Sequence, residues 1–254
     1  MRNNSVKAQL IYRTFWLLVA IVATVTSFTD HLAATGDGRP VMLFFTTWST
    51  WLAALVAVAV FIDTVLHAVR GAKQGYNRAM PVIKFSANIV IIATFIVSAF
   101  VLPDKIWMAG YWNVGSIFKH FLLPILTVLD CVLFDPKNHI RISYPFLGVI
   151  LPLLYWIVVV ARIVIYRNAC GGAIPEADWN AYYPYGFTNF DNGHTLTGLC
   201  GLLAGIMVGL IAIGFLFWVV DKLSKKDGRL TFTKGVDEDD MNDAVHYFIA
   251  AKKK

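Results

Sequence analysis

Thr46, Thr47 and His120 carry the sharpest chemical signal in this sequence. A hydroxyl is a weak nucleophile until a neighbouring base takes its proton. Imidazole does so near neutral pH, because its pKa lies close to ambient. Thr46 and Thr47 lie early in one long apolar run, and His120 opens another. Where two such runs cross a membrane in the same direction, residues at their heads lie at matching depth and can meet. Thr46, Ser49 and Thr50 share one helical face by the 3.6-residue period. Bonding back to their own helix carbonyls is the competing use of these hydroxyls.

Other polar side chains also fall inside apolar runs, where burial is costly and function is the default reading. Asn88 and Arg162 are of this kind, and Lys119 adjoins His120. Arg162 suits either snorkelling to the headgroups or clamping a substrate carboxylate. Asp63 and Asp130 lie near run ends, where interfacial water would satisfy them. Lys84 also lies near an end, within snorkelling reach of the headgroups. The stretch from Tyr166 to Thr195 holds Trp179, Tyr182, Tyr183, Pro184, Tyr185, Phe187 and Phe190. Such density suits an aromatic belt at headgroup level, or a lid over a cavity with His194 in reach of His120. The six His are scattered and the three Cys form no Cys-x-x-Cys pair, so neither a metal nor a cofactor is expected.

The elements that must hold these residues follow from composition. Of 254 residues, 57% are hydrophobic and 15% are charged, against roughly a quarter charged in a soluble domain. A 28.3 kDa globule with a mean hydropathy of +0.61 has too little interior for that much apolar side chain. The surroundings must themselves be apolar. A helix needs about 20 apolar residues to cross a bilayer core. Six windows qualify, at Ile11–Phe28, Val41–Val65, Val82–Val101, His120–Phe134, Phe146–Ile165 and Leu196–Val220. The fourth is short and needs residues from Ser116 onward. The runs lack period-two alternation, which excludes a barrel. The expected fold is an all-α polytopic membrane protein with six transmembrane helices over 1–223 and a polar cytoplasmic tail over 224–254.

With both termini inside, 17 of the 22 Lys and Arg residues fall on the inner side, as the positive-inside rule asks. The net charge of +6 is then a pattern facing anionic lipid, not a nucleic-acid site. The tail holds the acidic cluster Asp237-Glu238-Asp239-Asp240 and is read as solvated chain. Pro124 and Pro152 each remove a helix hydrogen bond and can bend their spans. Gly201, Gly205 and Gly209 leave one face of the last span free of side chains, so another helix can approach closely. An internal neighbour is expected there; a second copy, giving a homo-oligomer, is the alternative.

Four short motifs carry a resemblance. Phe44-Phe45-Thr46-Thr47-Trp48-Ser49 opens span two, and Lys119-His120-Phe121-Leu122-Leu123-Pro124 opens span four and leads to Asp130. Tyr144-Pro145 precedes span five, and Tyr183-Pro184-Tyr185 follows it. In this order, over about residues 10–223, they resemble bacterial six-span membrane proteins similar to the androgen-induced and androgen-dependent membrane hydrolase family. The resemblance implies a bacterial plasma membrane and a hydrolase of fatty acid esters. It implies a Thr nucleophile, best matched by Thr46 with Thr47 adjacent, and His120 as base. Arg162, Asn88 or Lys119 would then hold the oxyanion or an acidic head. Tyr183 and Tyr185, in the outer loop, would help admit a membrane lipid as substrate. The alternative function is a non-enzymatic lipid-binding or transport protein built on the same polar pocket.

Overall fold

The long helices turn large apolar side chains outward and bury polar ones such as Arg13, Thr50, Asn88 and Asp130, the reverse of a soluble bundle. A computed structural model describes residues 5–35, 42–72, 81–101, 113–135 and 138–223. Its long helices are α1 (Val6–Thr35), α2 (Phe45–Val69), α3 (Pro81–Ile96), α4 (Val114–Phe134), α5 (Tyr144–Ala169) and α6 (Leu196–Leu223). All six contain a stretch long and apolar enough to cross a membrane. The chain is therefore an all-α, multi-pass membrane protein, and no strand occurs among the described residues. The expected tail, 224–254, lies outside the described residues.

Consecutive long helices alternate in direction. The end where α1 begins and α6 finishes is here the proximal end, and the opposite one the distal end. Helices α1 to α4 pack as a group, with α1 lying along α2. The reason is visible in α1. Ile11, Phe15, Leu18 and Val25 face outward, whereas Gln9, Arg13, Trp16, Ala20 and Ala23 are buried at helical spacing. Ala20 and Ala23 meet Ala53 and Ala57 of α2 within one core cluster. Small side chains let the two backbones approach, which supplies the packing contacts that lipid cannot replace.

The proximal end is fastened by buried charge. Arg13 Nε donates to Asp130 Oδ1 at 2.8 Å, and its Nη1 donates to Gln9 Oε1 at 2.9 Å and Thr64 Oγ1 at 2.7 Å. Lys84 Nζ reaches Asp130 Oδ2 at 2.5 Å and also pairs with Asp135. One carboxylate thus ties α1 and α3 to α4, while Arg13 also holds α2. Asp130 is fully buried and Lys84 nearly so. Interfacial water is not the partner of Asp130, and Lys84 does not snorkel: the two charges satisfy one another inside the bundle. Asp63, by contrast, stays partly exposed beside His67.

Helix α5 is built from two pieces, Tyr144–Leu147 and Ile150–Ala169. The break falls at Gly148 and Val149, four residues before Pro152, whose missing N–H leaves the Gly148 carbonyl without its helical donor. The first piece wedges against α3 and α6. Gly214 makes this fit possible, because a Cβ there would lie 2.9 Å from the Cα of Pro145. Gly201, Gly205 and Gly209 behave differently. A Cβ on any of them meets nothing within 4 Å. The internal neighbour expected for that face is absent among the described residues, because α6 is the least buried of the six helices and seats through Leu210 and Gly214 instead.

Candidate functional site

The distal end of α2, α3 and α4 holds a seam of hydroxyls ending on an imidazole. Ser49 and Thr94 share a hydrogen bond between their hydroxyl oxygens at 2.8 Å, joining α2 to α3. One turn further along α3, Ser98 Oγ lies 2.6 Å from His120 Nδ1, joining α3 to α4. Ser49 and Ser98 are buried, and His120 is half-buried.

Two departures from α-helical winding set the second contact. Ser98 lies in a π turn over Val97–Val101 that continues α3, and His120 in a π turn over Phe118–Leu122 within α4. Pro124 accounts for the latter. It has no N–H to offer the carbonyl four residues earlier, which is that of His120, and its ring presses on that carbonyl. The turn widens, and the N–H of Leu123 donates to the Phe118 carbonyl, five residues back. Single π turns of this sort recur at functional sites.

The seam's other end meets the loop between α5 and α6. The Tyr185 hydroxyl accepts from the Phe45 N–H at 3.0 Å, beside Thr46. Burial pushes the Tyr185 hydroxyl pKa up, so it stays protonated. Tyr155 donates to the Leu43 carbonyl at 2.6 Å. Tyr185 stacks parallel to Phe187 at 5.2 Å and packs against Trp156. These rings belong to a buried aromatic cluster that also takes in Tyr183 and Trp179.

Asp191 organises the loop. Its carboxylate accepts from Arg167 Nε at 2.9 Å, the Ile174 N–H at 2.8 Å and the Tyr183 hydroxyl at 2.6 Å. Burial opposes ionisation of Asp191, but the Tyr183 hydroxyl, the Ile174 N–H and Arg167 outweigh it. Its pKa falls below the usual carboxylate range. The same burial, and then the carboxylate itself, raise the pKa of Tyr183.

The residues singled out from sequence therefore sort into separate settings. Thr46, Thr47 and His120 do lie at one end of the bundle. Among the described residues, however, no hydrogen bond joins either threonine to His120; the imidazole is held by Ser98. Thr46 faces Tyr185, and Thr47 is buried in α2. Lys119 pairs with Asp30 of α1 at 3.4 Å. Arg162 donates to the Ala181 carbonyl at 3.0 Å and lies 4.4 Å from the Tyr182 ring centroid, so it anchors the loop. His194 is exposed. Asn88 donates to the Lys84 carbonyl, while its Oδ1 is buried without a partner among the described residues. Thr50 Oγ1 is in the same state, one residue beyond Ser49.

Sequence reasoning missed Ser98 and Thr94. Both are spaced four apart at the distal end of span three, the depth already assigned to His120, so the same depth argument applied to a third span finds them. No family model, curated protein or solved structure matches this chain.

Proposed function

We propose that this protein is an intramembrane hydrolase of lipid esters, with His120 as general base. The observation that carries the reading is the imidazole of His120 holding a buried hydroxyl at 2.6 Å. That is the spacing a base needs to take a proton as an oxygen attacks a carbonyl. Two further features support it. The seam lies at helix ends, where an ester at headgroup depth can reach it. Thr50 Oγ1, buried beside Ser49 without a partner among the described residues, suits a site that receives a polar ligand group. The order of motifs resembling the androgen-induced membrane hydrolases points to fatty acid esters as substrates. The bias of Lys and Arg supports an orientation with both termini in the cytoplasm of a bacterial cell and the seam facing outward.

The test is hydrolysis of a panel of long-chain fatty acid esters by protein purified in detergent. Wild type releases fatty acid, and His120→Ala lowers the rate about 10²- to 10⁴-fold, the usual contribution of a positioned base, with its thermal unfolding unchanged. No release by wild type across the panel, or equal rates in the variant, refutes the hydrolase. Saturable lipid binding without turnover would then favour a binding or transport protein.

A further inference from the structure

We propose that Ser98, not a threonine of α2, is the nucleophile of this site; the assignment rests on the hydrolase reading. Its warrant is which atom each hydroxyl oxygen meets. Helical Ser and Thr side chains ordinarily bond the carbonyl three or four residues back. Here Ser27, Ser86, Thr94 and Thr127 all bond the carbonyl four back, at 2.7 Å, 2.9 Å, 3.1 Å and 2.7 Å. Ser49 bonds the Thr46 carbonyl at 2.9 Å as well as meeting Thr94. Thr50 Oγ1 makes no such bond among the described residues, and neither does Ser98; of the two, Ser98 is the one that meets an imidazole. Its Oγ shares a hydrogen bond with His120 Nδ1 and bonds no helix carbonyl among the described residues.

The π turns explain why. One displaces Ser98 from regular α winding, and the other, forced by Pro124, re-aims His120 toward it. Two neighbouring helices carry a local irregularity at the same depth, and the irregularities meet in one short hydrogen bond.

The chemistry follows from the pairing. With Nδ1 unprotonated, His120 takes the proton of Ser98 as Oγ attacks the ester carbonyl carbon, forming an O–C bond. The tetrahedral adduct collapses, the bond from that carbon to the alkoxy oxygen breaks, and the imidazolium returns its proton to the departing alcohol. Water, deprotonated by His120, then attacks the acyl-serine. The Ser98 O–C bond breaks, Ser98 regains its proton from the imidazolium, and the fatty acid leaves. No oxidant or further co-reactant is needed.

A long-chain alkyl fluorophosphonate tests the assignment. An activated serine displaces fluoride and keeps a phosphorus–oxygen bond, which peptide mass spectrometry then locates. Purified wild type is expected to carry the adduct on Ser98. Ser98→Ala loses the adduct and at least about 100-fold of ester hydrolysis, and His120→Ala slows labelling to a similar degree. If Ser98→Ala fails to fold, Ser98→Cys, close in volume, replaces it. That variant is expected to gain labelling at position 98 by an alkyl iodoacetamide, dependent on His120. An adduct on Thr46 or Thr47, with hydrolysis surviving in Ser98→Ala, overturns Ser98 and leaves the hydrolase standing. Wild type that neither hydrolyses esters nor takes up the probe overturns both.

Discussion

Removing the Asp130 carboxylate would leave Arg13 and Lys84 buried and facing each other without their shared anion. A buried ion pair broken on one side costs about 3–5 kcal/mol, because the surviving charge has lost its compensation. Asp130→Leu is therefore expected to lower stability by about that amount in thermal or denaturant unfolding in detergent. An unchanged midpoint would show that the pairs contribute nothing. Lys119→Ala, at the more exposed Asp30 pair, belongs in the range of about 0–1 kcal/mol. Asp191 adds a pH dependence at the opposite end. Its pKa is depressed in the folded loop, so it contributes stability at pH values above the unfolded carboxylate pKa of about 3.9. That contribution is lost as pH falls through the lower, folded value. Acid titration below about pH 4 should release the loop, read as a change in Trp179 fluorescence. Asp191→Asn should abolish the transition and leave the loop looser at neutral pH.

At the scale of elements, α4 is decided by one residue. Pro124→Ala restores an N–H that can bond the His120 carbonyl, and so favours regular α winding through Phe118–Leu122. Closing the π turn rotates His120 relative to Ser98. Hydrolysis is expected to fall at least about tenfold while helix content and unfolding midpoint hold or improve, since Pro is the costliest residue in a helix interior. A gain in stability with full activity would show that the π turn does not position the imidazole. The glycines of α6 teach a related lesson. Gly214 alone meets a neighbour's backbone, at Pro145, whereas the stripe at Gly201, Gly205 and Gly209 looks outward. Periodicity identifies a face that permits close approach, but what lies opposite depends on how the helix is seated.

The two ends of the molecule differ: the proximal end holds the buried Arg13–Asp130–Lys84 cluster, and the distal end the hydroxyl seam with the aromatic loop. This difference fixes what each membrane side meets. Cys170 is exposed at the distal end, so the proposed orientation is directly measurable. In a Cys200→Ser background, a membrane-impermeant maleimide is expected to label Cys170 in intact cells. Labelling only after permeabilisation would invert the topology and put the seam on the cytoplasmic side. The two ends are also tied through shared helices. Between them run α3 and the π turn that continues it, which carry Lys84, Asn88, Thr94 and Ser98 within one broad face.

The sequence by itself determined the number and kind of elements, because continuous apolar runs of spanning length have no stable home but a membrane helix. It also placed Thr46, Thr47 and His120 at one end, since helices of alternating direction fix depth along the chain. Rotation and partners were decided only in the tertiary structure. Depth follows from counting residues, whereas the direction of a side chain depends on which helices pack together and on where Pro124 widens a turn. Hence Asp130, which one-dimensional reasoning left to interfacial water, became the centre of an ion cluster, and Arg162 became a loop anchor. The hydroxyl facing His120 came from α3, a helix whose contribution no motif had marked.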